Sequence, residues 1–345
     1  MPSVAVHDNS APLVPDFSAD RIEFGTLVTD CGLFDPGDRA RISLTGGDRV
    51  RWLNGMITNN VRDLPAGQGV YAFLLNPQGH ILGDLYAYNR GAVLLVDIEQ
   101  SQREKILATF DRYIIMDDVE VADITGQQTA IGVAGPKAAG MLRALGLAVP
   151  ELKPLQFADL VWRNEALLIG RGDNPAVDSY QLWLPAEGKT AIREALGNAG
   201  AKPVGAGAWE LLRVAAGLPR YGQDIRERDL PQETEQQRAL HFNKGCYIGQ
   251  EIVERIRSRG AVHRKFTGFE VQGALPALGT KVQAEGKDVG EVTSTATLPA
   301  AGGELPVALG YVRREFAVPG KQVQAGDARL SVASLPFTRI FPSKD

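Results

Sequence analysis

The stretch from Lys244 to Glu251, KGCYIGQE, gathers the reactive chemistry of the chain: one of only two cysteines in 345 residues stands two positions after a lysine and between glycines. A neighbouring ammonium favours the thiolate over the thiol. The segment that follows, GQEIVERIRSRG, carries Ile252, Val253 and Ile256 at helical spacing and Gly260 as a stop. Cys246 is therefore expected at or just before a helix N-terminus, where unpaired N–H groups also lower a thiol pKa. Gly245 and Gly249 lack Cβ and let a ligand or a partner backbone approach the sulfur. Two readings stay open on these residues alone, a reactive or contact-making thiol and a small packed hydrophobe, the common fate of free cysteines. His241, five residues upstream of the thiol, is either a base or a surface and capping residue.

Other candidate motifs are weaker. Arg255, Arg257, Arg259, Arg264 and Lys265 form a basic run in a chain of net charge −4. It reads as a solvated helix face or as an anion site for a polyglutamate tail, RNA or an acidic partner. GAGAWE, from Gly205 to Glu210, fails as a dinucleotide loop because Glu210 replaces the third glycine, and no P-loop pattern occurs. Four scattered histidines and two cysteines without C-x-x-C cannot supply four cysteines to an iron–sulfur cluster, and no metal site is expected. Tyr71, Trp52, Trp162, Trp183 and Trp209 read first as core side chains.

These residues need elements to hold them. RARISLT, from Arg39, alternates as a strand, breaks at Gly46 and Gly47, and resumes with helical spacing through Val50, Leu53 and Ile57. GVYAFLLNPQGHILGDLYAYNRGAVLLVDIE holds three strand-like runs separated by the turn signals NPQG and NRG, an antiparallel meander. A helix follows on Ile106, Leu107, Phe110 and Ile114, then the strands DVEVADIT and AIGVAG and a helix opened by Pro136. A second cycle of strands (ALLIGRG, SYQLWLP) and helices (GKTAIREALGNAG, AGAWELLRVAAG) runs to about residue 218. Strand pairs joined by tight turns argue for an α+β fold over a doubly wound one. From Phe266 onward, short strands with Gly and Pro turns predict a small all-β barrel or sandwich of about 80 residues.

A chain of 345 residues with 44% hydrophobic content has material for two or three domains. The first twenty residues carry no basic and apolar signal pattern, and no apolar run reaches the roughly 18 residues of a membrane helix. The expectation is a cytoplasmic protein with free thiols, no membrane contact, a loose lead-in over 1–18, no direct nucleic-acid binding and a monomeric state.

GLPRYGQDIRERDLPQET followed by NKGCYIGQEIVERIRSRGAVHRKFTGF resembles the signature region of the YgfZ family of folate-binding proteins, a branch of the aminomethyltransferase (glycine cleavage T-protein) superfamily. The pattern K-G-C-[FY]-x-G-Q-E is that branch's hallmark. From about Leu33 the similarity continues: NPQGHILGDLYAY is similar to the T-protein loop N-x-x-G-G-x-x-D-D-L, AIGVAGP to its strand and Gly-Pro turn, and AWELLRVAAGLPRYGQDI to its arginine-bearing helix. The resemblance implies an α+β fold of three domains in a cloverleaf around a central folate channel. Its folate-binding region would span 19–260 and its C-terminal β-barrel 261–345.

It also implies tetrahydrofolate, or a one-carbon or polyglutamyl derivative, as the cofactor. Lys244 and Cys246 look like the functionally required pair, while Trp209, Arg213, Tyr71, Gln181 and Asp84 are implied to bind folate. The catalytic aspartate of the T-protein, first of its paired acids, falls on Gly83, with the second kept as Asp84. The pterin-holding glutamate falls on Gln181, and a folate-site tryptophan of the YgfZ branch on Arg39. Glycine can neither hydrogen-bond folate nitrogens nor stabilise charge in methylene transfer. The expected function is thus a tetrahydrofolate-binding accessory protein for assembly or repair of iron–sulfur enzymes, including radical enzymes that modify tRNA. Its partners would be iron–sulfur proteins or their assembly machinery. The rivals are a folate-dependent aminomethyltransferase or demethylase and a scaffold that binds no folate.

Overall fold

A computed structural model describes residues 18–147, 149–260 and 262–341. The lead-in of 1–18 lies outside the described residues apart from Ser18, which opens the first helix. In chain order the first half holds α1 (Ser18–Thr29), β1 (Gly32–Phe34), β2 (Arg39–Thr45), α2 (Arg49–Met56), β3 (Gln68–Leu75), β4 (Ile81–Asn89), β5 (Leu94–Glu99), α3 (Arg103–Tyr113), β6 (Glu120–Asp123), β7 (Thr129–Ala134) and α4 (Ala138–Ala144). Then come β8 (Phe157–Trp162), β9 (Glu165–Arg171), β10 (Ser179–Leu184), α5 (Lys189–Asn198), β11 (Lys202–Pro203), α6 (Ala206–Ala216) and α7 (Gln250–Arg259). The C-terminal part contributes β12 (Arg264–Gln272), β13 (Lys281–Ala284), β14 (Lys287–Ala300), β15 (Gly303–Arg313), β16 (Gln322–Ala325) and β17 (Ala328–Ala333).

The expected meander is present: β3, β4 and β5 pair antiparallel in a five-stranded sheet of order β3-β4-β5-β2-β6. Ala72, Leu74, Leu85 and Ala87 turn one face of this sheet onto Trp52 and Leu53 of α2 and Ile106 and Phe110 of α3. The second cycle builds a six-stranded sheet, β11-β1-β7-β10-β9-β8, whose outer face packs on α4 and α5 through Leu142, Ile192 and Leu196. Its inner face meets the first sheet where Trp183 and Phe157 stand edge-on to Tyr88. The C-terminal strands close into the expected six-stranded barrel.

One element was not read from the sequence, and one detail differs from that reading. Residues 18–29 form a helix whose Phe24, Leu27 and Val28 are buried in the core shared with α6 and the barrel. Pro136 sits in the turn before Lys137, the N-cap of α4, and is not the first helical residue.

Helix α6 is the strut between the lobes. It ends on Gly217 in the left-handed region at φ 69°, where an added Cβ would lie 2.7 Å from Leu335 of the C-terminal segment, so glycine serves both the turn and the close approach. On the barrel, Glu291 takes Arg226 at 2.5 Å and Arg228 at 3.2 Å from the connecting segment and Lys281 at 3.0 Å from β13. Burial works against the Glu291 charge, but the hydrogen bonds and charges of Arg226 and Lys281 outweigh it and hold its pKa at about 2 against an ordinary 4.5. A depressed carboxyl pKa contributes stability that is complete above the unfolded pKa and lost as pH falls through the folded one. Stability is therefore expected to fall between about pH 4.5 and pH 2 through this group, and less steeply in Glu291→Gln, as chemical denaturation at stepped pH would record. Equal slopes for the two proteins would contradict the linkage.

Candidate functional site

Strand β4 decides what faces the centre of the molecule. Successive side chains of a strand alternate between faces. Gly83 falls with Leu85 and Ala87 on the face toward α3, where an added Cβ would lie 2.7 Å from Gln102 Oε1 and 3.2 Å from Ile106. Asp84 falls with Tyr86 and Tyr88 on the opposite face. The paired register of β4 and β5 ends at Tyr86 and Asp97, and beyond it the amide of Gln102 takes over. Gln102 Oε1 accepts the Asp84 N–H at 3.0 Å, and its Nε2 donates to Asp84 Oδ1 at 2.7 Å. The Tyr71 hydroxyl donates to Asp84 Oδ2 at 2.7 Å. Burial, and then the Asp84 charge, push the Tyr71 pKa well up, so the phenol keeps its proton and its role as donor.

Around Asp84 lies a cavity of about 100 Å³ lined by Arg39, Tyr71, Asp84, Tyr86, Glu99 and Arg220, among others. Burial and the nearby Asp84 raise the pKa of Glu99. Arg39 is paired to Asp97 at 2.9 Å. The lining thus combines the carboxyl groups of Asp84 and Glu99 with tyrosines and arginines, suitable for a polar heterocycle with amine and amide groups. The sequence reading named Tyr71 and Asp84 for this pocket, and both are there. Glu99, Arg220 and Tyr86 went unnoticed; only the β4 alternation, which puts Tyr86 on the Asp84 face, signalled one of them.

The KGCYIGQE segment behaves otherwise than expected. Lys244 is buried, and its three N–H bonds go to the carbonyl oxygens of Asn54 (2.5 Å), Ile57 (2.6 Å) and Asn59 (2.7 Å), the C-terminal end of α2 and the loop after it. Burial, with Arg62 adding to it, lowers its pKa to about 7. No N–H is left for a thiolate, so Lys244 acts as a clamp on α2. Cys246 is exposed and stands three residues before Gly249, the N-cap of α7. Gly249, at φ 80°, has no room for a partner: an added Cβ would lie 2.7 Å from Asn76 O, because α7 docks directly on the β3–β4 turn. Cys31 is fully buried in the core of the second sheet, its pKa pushed to about 11 by burial and by Asp30, and both thiols are free. Lys244→Met should cost about 2–4 kcal/mol by orphaning three carbonyls, seen in chemical denaturation. The same variant should not slow alkylation of Cys246, whereas an activating lysine would.

Other implied folate residues lie elsewhere. Arg213 spends all five N–H donors inside the protein: two on Glu210, one each on Leu218 O, Asp224 and Ser294 Oγ. Nothing remains for a ligand, so Arg213 ties α6 to the connecting segment and the barrel. Trp209 stacks on Phe34 with ring centroids 4.0 Å apart and packs against the core of α1, α6 and the barrel. Gln181 lies on the inner face of the second sheet and accepts the Trp183 indole N–H at 3.0 Å. Neither Trp209 nor Gln181 lines the Asp84 cavity. Of the basic run, Arg264 pairs with Asp229 and Glu233, and Lys265 with Glu235.

The GCVT N-terminal domain profile matches residues 15–244, and that of the glycine cleavage T-protein C-terminal barrel domain matches residues 264–337. The chain belongs to the glycine cleavage T-protein family. A protein named aminomethyltransferase from Rubrobacter xylanophilus is 31% identical over 303 residues, covering 87% of this chain and 80% of the relative. Another of that name from Nostoc sp. is 29% identical over 321 residues, 89% of this chain and 84% of the relative. The crystal structure of glycine cleavage system aminomethyltransferase T from Bartonella henselae shares the fold, with a TM-score of 0.84 at 26% identity over 94% of this chain and 91% of that one. The T-protein fold and its C-terminal barrel are as the sequence led us to expect. A Cβ at position 83 would meet Gln102 and Ile106, whereas Asp84 lines the cavity.

Proposed function

We propose that this T-protein family member binds tetrahydrofolate in its central cavity and carries out one-carbon transfer of the aminomethyltransferase or demethylase class. The observation that carries this reading is the Asp84 carboxylate, held by Tyr71 and Gln102 at the cavity floor. Two hydrogen bonds fix its orientation and leave lone pairs for the ligand. A fixed carboxylate can accept an N–H from the folate and offset positive charge that develops on nitrogen as a methylene unit moves. The names of the relatives favour the same class. The test is formation of 5,10-methylene-tetrahydrofolate from an aminomethyl donor and tetrahydrofolate. No product above the uncatalysed rate would count against the transfer reading.

A second reading is favoured by the exposed Cys246 in a segment that resembles the YgfZ hallmark. In that reading the protein supports iron–sulfur enzymes, and the thiol meets a cluster or a partner thiol. It predicts that Cys246→Ala fails to restore iron–sulfur enzyme activity in a deletion strain; full restoration would remove the thiol from the account. We place the boundary between the folate-binding region and the barrel domain near residue 260.

A further inference from the structure

The Asp84 cavity is too small for the ligand proposed for it, and one of the arginines that line it, Arg238, also lines a second space. A cavity of roughly 150 Å³ takes a benzene ring, and a fused bicyclic head is larger, while the space around Asp84 measures about 100 Å³. A second cavity of about 490 Å³ lies toward the barrel, among Phe266, Leu335 and Pro336. Two residues, Leu218 and Arg238, line both. The Arg238 guanidinium lies 4.2 Å over the Tyr71 ring, so it covers the residue that orients Asp84. It is held there by an ion pair to Asp173 and by Gln236, whose Oε1 accepts its Nε–H at 3.1 Å. Asp173 in turn accepts the Tyr86 hydroxyl at 3.2 Å.

We infer that Arg238 is a movable partition in one continuous channel, and that it must leave the Tyr71 face before a fused-ring ligand reaches Asp84. The larger cavity then holds the ligand's tail. This inference rests on the folate reading of the channel. Its physical basis is that the latch is made of contacts that a side chain can exchange: one cation–π face and one partly exposed ion pair. With the ligand's rings against Tyr71, the stacking surface passes from the guanidinium to the ligand. The closed form lowers apparent affinity by the fraction of molecules that are open.

Stopped-flow mixing of the full chain with tetrahydrofolate, followed by intrinsic fluorescence, tests this. Arg238→Ala should raise the association rate constant about tenfold, and Asp173→Asn, which frees the arginine without removing it, should move it the same way by a smaller factor. Melting temperature serves as the control, since a merely structural arginine would lower it without speeding association. A wild-type protein that binds, with rates unchanged in both variants, overturns the partition and leaves the folate reading standing. A wild-type protein that never binds tetrahydrofolate overturns the folate reading, and the partition with it.

Discussion

Replacing Asp84 with asparagine is expected to cut 5,10-methylene-tetrahydrofolate formation by about a hundredfold or more while leaving the fold intact. Asparagine keeps the size of the side chain and its amide oxygen still accepts the Tyr71 hydroxyl, while its amide nitrogen replaces the oxygen that accepts from Gln102 Nε2, so one of the two hydrogen bonds that orient the group is lost. It also loses the negative charge in the cavity. Far-ultraviolet circular dichroism and the melting curve should match those of the wild type, and the rate alone should fall. Gly83→Asp is the matched control. Its side chain would press on Gln102, which holds Asp84, and on Ile106, so it should add no activity and should lower what is there. A gain of activity in Gly83→Asp, or an unaffected rate in Asp84→Asn, would return the catalytic role to the first acid position.

The second large effect concerns stability. Arg213→Met leaves Asp224, fully buried, with hydroxyl donors from Thr293 (2.5 Å) and Ser294 (2.8 Å) and the Arg220 N–H (3.0 Å), but without its cation. Burial disfavours the Arg213 charge, yet Glu210 and Asp224 outweigh it and raise its pKa, so the guanidinium keeps its charge. Breaking a buried pair by removing one partner costs about 3–5 kcal/mol. The same change unfastens α6 from the barrel residue Ser294. A lowered melting temperature with tetrahydrofolate affinity retained in the folded fraction is the expected result. A wild-type melting temperature with affinity lost would make Arg213 a folate ligand after all.

These residues also mark what the sequence could and could not reveal. The barrel and the β3–β5 meander were legible because alternation and Gly or Pro turns are local signals. The helix at 18–29 was legible too, in the spacing of Phe24, Leu27 and Val28, but went unread. The face of Gly83 was written in ILGDLYAY, where Leu85 and Ala87 share the period of Gly83 and Tyr86 and Tyr88 that of Asp84. The resemblance pointed to positions 83 and 84, and the strand period puts Asp84 on the face of Tyr86 and Tyr88. Lys244 was beyond reach, since its partners are backbone carbonyls of residues 54–59, and no pattern in the chain announces an acceptor that every residue owns. The cavity wall was hidden for a related reason. Arg39, Glu99, Arg220 and Arg238 come from four separate segments that only the folded lobes bring to one space.

The central claim is that tetrahydrofolate is held against Asp84. Isothermal titration of the wild-type protein and Asp84→Asn with tetrahydrofolate under anaerobic, reducing conditions tests it most directly. The account predicts saturable one-site binding by the wild type and affinity about tenfold weaker in the variant, the loss of one hydrogen bond to a charged group. Equal affinities for the two proteins, or no heat of binding in the wild type, would contradict it.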